Sequence, residues 1–278
     1  MSFYFPIFCH QKAITKIYIP IEFPHHLIMI RIFLGKPGSG KTISAVREMM
    51  LSDGSRKTYT NIKTKGVPGV VHIKADMIIK KDIKDMKRRR DGSEYPVYEF
   101  KLNKEFWQNA DKPINVVLDE VHTLLNSRRA MSSVNVIMGD FLAMVRRVLG
   151  DSDSGYGELT LITQRLMKID PDGRELANHI RYHIGHYFKR CKDCNTRWAE
   201  HTEFPEEIRT CPRCGSRSLK KYGHSVQVLH FSGEKTFMAW RYEGKDTYHR
   251  EYYITNLDRY FGRYDTLQWE NIISELYT

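Results

Sequence analysis

Apolar runs and amphipathic stretches alternate along most of the first two thirds of the chain. MIRIFL, residues 29–34, is a predominantly apolar run closed by Gly35, and its length predicts a buried strand. After a glycine-rich turn, ISAVREMML places Ile43, Val46 and Met50 at helical spacing. TYTNIK alternates in the manner of a second strand. INVVLDE, residues 114–120, is an apolar strand ending in two carboxylates. NVIMGDFLAMVRRVL, residues 135–149, suits one amphipathic helix, DSDSGYG a loop, and ELTLITQR another buried strand with a polar exit. Strands alternating with helices predict an α/β fold, a parallel sheet covered by helices on both faces.

The pattern weakens elsewhere. IIKKDIKDMKRRRDG, residues 78–92, shows no core face and reads as a solvated helix and loop, with phosphate contact as the second reading. After Arg190 the chain becomes rich in tyrosine and β-formers. VQVLHF, KTFMAWRY and HREYYIT are expected as strands of a small sheet or hairpin, and LQWENIISELY as a short helix. Residues 1–28 are aromatic but broken by prolines, charges and histidines, and lack the layout of a signal peptide. Met29, just before the first convincing strand, marks an alternative start that would leave 1–28 a poorly ordered extension. The expected division is an extension (1–28), a nucleotide-binding domain (29–190), a cysteine-bearing unit (191–223) and a β-rich region (224–278).

Composition adds a partner class. The 278 residues carry a net charge of +11, which favours polyanions, either nucleic acid or an anionic membrane surface. No apolar run approaches the roughly 18–20 residues that cross a bilayer.

GKPGSGKT, residues 35–42, changes the picture most. Gly35, Gly40, Lys41 and Thr42 satisfy G-x-x-x-x-G-K-[ST] in full, between a strand and a helix. Pro37, Gly38 and Ser39 fill the loop, whose amides would wrap phosphates at a helix N-terminus. Lys41 would reach the β- and γ-phosphates of ATP and Thr42 would bind Mg²⁺. Asp119 is placed to hold the hydrated Mg²⁺, and Glu120 to polarise the attacking water. Gln164, at the exit of the LITQ strand, is a sensor for the γ-phosphate. A transition-state arginine from a neighbouring subunit is sought among Arg128, Arg129, Arg146 and Arg147, with Arg147 singled out. A strand inserted between the glycine-loop strand and the Asp-Glu strand would mark a motor-type ATPase.

Cys191-x-x-Cys194 and Cys211-x-x-Cys214 stand sixteen residues apart and use four of the five cysteines. The spacing is that of a four-thiolate zinc ribbon, closed and structural, with the glycine after Cys214 suited to a tight turn. Disulfides compete, but a nucleotide-dependent enzyme normally works in a reducing compartment, which places the protein in a cytoplasm. The ribbon is either a staple or a grip on DNA or protein. His179, His183 and His186 in HIRYHIGHY lack a carboxylate or cysteine at firm spacing and read as ordinary histidines.

Together FLGKPGSGKT, VVLDEVH, the arginine-containing helix and LITQRLMKID resemble the zonular-occludens-toxin-like family, which includes assembly ATPases of filamentous phages. The resemblance spans residues 29–187, with YDT at 264–266 as a further match. It implies an oligomeric ring ATPase of the additional-strand, catalytic-glutamate P-loop type. Lys41, Thr42, Asp119, Glu120 and Gln164 carry over as functional positions. Filamentous-phage members have a transmembrane segment where this chain carries its cysteines, which shifts the expectation from export to a DNA-handling motor of a virus or mobile element, in the host cytoplasm or peripheral at a membrane or virion. Two alternatives stand beside it: a membrane-associated morphogenesis ATPase acting on coat proteins, and a zinc-dependent adaptor whose nucleotide site switches shape without fast turnover.

Overall fold

The computed structural model describes residues 29–52, 54–123, 133–151, 153, 155–203 and 208–265. In chain order, β1 (Met29–Leu34) leads through the glycine turn into α1 (Lys41–Leu51). β2 (Thr58–Thr60), β3 (Val70–His72) and α2 (Ala75–Ile78) precede a hairpin of β4 (Ile79–Arg88) and β5 (Glu94–Leu102). α3 (Lys104–Gln108), β6 (Asn115–Leu118), α4 (Ser133–Ala143) and α5 (Val145–Leu149) follow. A two-residue pair, β7 (Gly150–Asp151) and β8 (Gly155–Tyr156), leads to β9 (Glu158–Thr163), α6 (Pro171–Glu175) and β10 (His179–Cys191). β11 (Arg197–His201), β12 (Leu219–Phe231), α7 (Glu234–Glu243), β13 (Arg250–Ile254) and a 3₁₀ segment, Leu257–Arg263, close the described chain.

One sheet organises these elements in the order β13-β12-β10-β1-β9-β6-β2-β3, with β11 also on β10. The run from β10 to β3 is parallel, whereas β11, β12 and β13 are antiparallel additions. Side chains alternate across the sheet. Ile30, Ile32 and Leu34 of β1 join Trp107, Phe141 and Phe237 on one face. Phe33 meets Ala45, Val46 and Met49 of α1 on the other, with Val117 and Ile162. The helices therefore cover both faces, as the alternation of strands and helices predicts.

Several expectations are corrected. The basic segment 78–92 is mainly strand β4, not helix and loop. It pairs with β5 from Ile79↔Leu102 to Arg88↔Glu94. Both faces of its outer half lie in solvent, so no apolar alternation betrays it; Ile83 is 62% exposed and Met86 50%. KTFMAWRY is helix α7, not a strand. Gly233 and Gly244 bracket it, and Phe237 and Trp240, one helical turn apart, pack on Phe231 and Tyr182. This aromatic packing overrides the β preference of its residues. The segment 135–149 forms two helices separated at Met144, not one. DSDSGYG holds part of the β7–β8 pair. The divisions expected after residues 190 and 223 fall inside β10 and β12, which pair as far as Cys191↔Leu219. The cysteine-bearing segment thus grows from strands of the main sheet. Residues 1–28, with Cys9, Arg128, Arg129 and LQWENIISELY lie outside the described residues.

Candidate functional site

The glycine turn sits at the C-terminal end of β1, where parallel strands present ligands. Gly35, Gly38 and Gly40 have φ of 152°, 74° and 90°. The loop is also walled by its neighbours. A Cβ on Gly35 would stand 2.5 Å from the His183 carbonyl of β10, and one on Gly40 would stand 2.3 Å from Val226 Cγ2 of β12. Gly185 of β10 lies under the same loop; its Cβ would meet the Gly38 carbonyl at 2.9 Å. Gly185 and Val226 thus shape the cradle from far along the chain, and nothing in the local sequence signals it.

Lys41 is buried, and its Nζ donates to the Gly35 and Lys36 carbonyls at 2.9 and 3.0 Å. Burial lowers its pKa, while Asp119 and Glu120 oppose the shift. Ser39 Oγ is buried without a hydrogen-bond partner. A buried ammonium and an unsatisfied hydroxyl in a glycine loop at the start of helix α1 fit a phosphate anion, which would supply the missing counter-charge and an acceptor.

The strand order brings the second half of the site to this loop. β9 lies between β1 and β6, so the ends of all three strands converge. Thr42 donates its hydroxyl proton to Asp119 Oδ2 at 2.7 Å, across 77 positions of sequence. Hydroxyl and carboxylate in contact beside a phosphate cradle form a hard, oxygen-only donor set that suits Mg²⁺. Burial raises the Asp119 pKa, partly offset by the Thr42 hydrogen bond.

Glu120, at φ 51°, occupies left-handed backbone that non-glycine residues seldom adopt. Its side chain is exposed and accepts a hydrogen bond from Gln164 Nε2 at 3.0 Å. His122 Nδ1 lies 3.2 Å from the other carboxylate oxygen. The Glu120 backbone conformation and these two partners aim the carboxylate at the edge shared with Gln164. Asn61, just past β2, bonds Asp119 through both backbone groups: Nδ2 donates to the Asp119 carbonyl at 2.9 Å and Oδ1 accepts from its N–H at 2.7 Å. Asn61 is a clamp on the acidic pair that strand reading passes over.

The remaining candidates separate. Arg146 and Arg147 are exposed on α5, at the opposite edge of the sheet. There the Leu149 carbonyl accepts from Ile114 and Gly157, at the beginnings of β6 and β9. Arg147 therefore stands apart from the glycine loop of its own chain. Tyr264, of the 264–266 match, is half-buried and packs beside α1 and Ile62. Thr266 lies outside the described residues. His183 is buried against Phe33, with ring centroids 4.7 Å apart. Burial pushes its pKa down to about 3, so it is a neutral core histidine. His186 hydrogen-bonds Gln227 at 3.1 Å.

The four cysteines converge at the outer ends of β10 and β12. Cys191 and Cys214 Sγ lie 3.6 Å apart, and Cys194 and Cys211 3.4 Å. All four sulfurs fall within 4.8 Å of one another. These separations far exceed a disulfide bond of about 2.05 Å. They approach the roughly 3.8 Å between sulfurs around a tetrahedral ion with metal–sulfur bonds of about 2.3 Å. Each CxxC is followed by a residue in left-handed conformation, Asn195 at φ 63° and Gly215 at φ 72°. Each turn closes back on its first cysteine, Asn195 N–H to the Cys191 carbonyl and Gly215 N–H to the Cys211 carbonyl. Cys191 and Cys211 are buried.

Among solved structures, the chain is similar to the N-terminal domain of zonular occludens toxin from Neisseria meningitidis. Identity is 16% and the TM-score 0.42, covering 86% of this chain and 100% of that one. It is also similar to the genome packaging NTPase B204 from Sulfolobus turreted icosahedral virus 2 in complex with ATP-gammaS. There identity is 13% and the TM-score 0.34, covering 55% of this chain and 74% of that one. No curated protein matches the chain. The sequence profile described as Zonular occludens toxin (Zot) matches residues 29–191, more than half of the 278 residues. With β1, α1, β6 and β9 all inside that match, the chain belongs to the zonular occludens toxin (Zot) family.

Proposed function

We propose that this chain is an ATP-hydrolysing motor of the additional-strand, catalytic-glutamate P-loop type, acting on DNA in the assembly or packaging of a virus or mobile element. The observation that carries it is the convergence of Thr42 with Asp119, and of Glu120 with Gln164, around the glycine loop. The loop amides and Lys41 bind and orient the triphosphate, and Thr42 and Asp119 hold Mg²⁺, which supplies charge neutralisation at the phosphates. Glu120 takes a proton from the attacking water while Gln164 fixes the carboxylate and senses the terminal phosphate. Among described residues no helix is long and apolar enough to cross a membrane.

The β4–β5 hairpin is the proposed DNA contact. It carries the run Lys87–Arg90 and Lys84 in solvent. Tyr95 and Tyr98 are exposed on its second strand, with Lys81 Nζ 4.3 Å over the Tyr98 ring. Cations beside aromatic faces suit phosphate and base contact. Arg147 reaches a γ-phosphate only from a neighbouring subunit, which fits a ring. The four-cysteine cluster holds structural Zn²⁺, and the host cytoplasm is the working compartment.

The test is steady-state ATPase with and without single- and double-stranded DNA, at two salt concentrations. Lys41→Ala is expected to lose nucleotide binding. Glu120→Gln should bind ATP normally and turn over about 10²–10⁴-fold more slowly. Equal turnover in Glu120→Gln and the parent would remove Glu120 from catalysis. A DNA-blind ATPase would remove the DNA role and leave hydrolysis standing.

A further inference from the structure

At the ends of the strands opposite the glycine loop, His179, His230 and His249 bring their rings together. His179 opens β10 and pairs with Arg31 near the start of β1, so it lies at the edge remote from the glycine loop. His230 stands near the end of β12, opposite Arg181. His249 precedes β13, and its N–H donates to the His230 carbonyl at 3.0 Å. The His179 and His230 rings are 4.8 Å apart between centroids, the His230 and His249 rings 4.5 Å. One ring nitrogen from each falls within 4.8 Å of the other two.

Three imidazole nitrogens this close are the donor set of a borderline divalent cation. His230 adds an independent sign. It is 4% exposed, and its Nε2 is buried with no hydrogen-bond partner, a costly condition that an ion would relieve. The charged neighbours do not exclude a cation. Arg31 and Arg181 are both bound by Glu48, at 3.2 and 2.6 Å, and Arg31 also by Glu158 at 2.5 Å. Arg250 lies over the Tyr252 ring. His249 is exposed, which gives an ion access and leaves a coordination position for water.

We infer that His179, His230 and His249 form a second metal site, distinct from the cysteine cluster, that takes a zinc-class divalent cation and clasps β12 and β13 to the parallel sheet. Three histidines from three segments, with the third on the connection into β13, tie the antiparallel addition to the strand beside β1.

Cobalt(II) separates the two sites, because thiolate ligands give an intense charge-transfer absorption that imidazoles lack. The tag-free full chain, stripped by chelator and titrated with Co²⁺, should bind two equivalents, only one of which develops the thiolate band. His249→Ala, at an exposed position that leaves the core intact, should weaken the non-thiolate equivalent at least about tenfold. Its thiolate band and ATP binding should not change. Cys194→Ser should do the reverse. Should His249→Ala retain partial binding, His230→Ala is expected to abolish the second equivalent. A parent that binds no equivalent outside the thiolate band, or titrations of both histidine variants that overlay the parent's, would overturn the assignment; a single equivalent without that band would instead remove the metal from the cysteines.

Discussion

At Gly40 two constraints coincide: φ is 90°, and Val226 Cγ2 occupies the space a Cβ would need. Gly40→Ala should therefore distort the cradle without touching a charged group. ATP affinity is expected to fall at least about tenfold, from strain of about 1–3 kcal/mol at such backbone. An equilibrium binding assay with parent-like affinity would show that the loop tolerates the shift. At Asp119, stability and the proposed metal-holding role oppose each other. Burial raises its carboxyl above the ordinary range. A carboxyl raised on folding adds stability at low pH that is lost as pH climbs through the folded value. The Asp119 carboxyl therefore costs the metal-free fold stability as pH rises. Asp119→Asn, still able to accept from Thr42, should melt close to the parent in acid and about 2–4 °C above it at neutral pH, if about 1 kcal/mol is relieved. Melting curves of metal-free protein across pH check this; a gap that ignores pH would refute it.

At the scale of elements, the chain encodes some pieces locally and others only through partners. β1, α1, β6 and β9 follow from their own apolar patterns, and the glycine turn from its own residues. The β4–β5 hairpin does not, because a strand exposed on both faces has no reason to alternate; only its pairing with Glu94–Leu102 defines it. Helix α7 is likewise set by where Phe237 and Trp240 find aromatic neighbours. The hairpin is also where the DNA reading can be tested separately from hydrolysis. Lys84→Glu with Lys87→Glu should leave basal ATPase unchanged and lower DNA affinity. If both lysines neutralise phosphates, the slope of log K against log salt should shallow by roughly 0.9 for each lysine replaced. An unchanged slope would move the DNA path elsewhere.

For the whole molecule, the antiparallel strands β12 and β13 join the parallel sheet, and the cysteine turns lie at the outer ends of β10 and β12. Removing metal should loosen that end first. With a strong chelator, amide exchange is expected to rise across β11 and the outer ends of β10 and β12, while β1, β6 and β9 stay protected. Uniform loss of protection would mean that the cysteine turns hold the entire sheet. The sequence by itself determined the glycine loop, the acidic pair and the paired cysteine turns, because each is made of contiguous residues whose spacing is fixed by the backbone. Only the tertiary structure decided that β9 separates β1 from β6, that Asn61 clamps Asp119, that Gly185 and Val226 wall the loop, and that three histidines meet. Those contacts join residues far apart in the chain, and their partners are chosen by the burial of the whole sheet rather than by any local pattern.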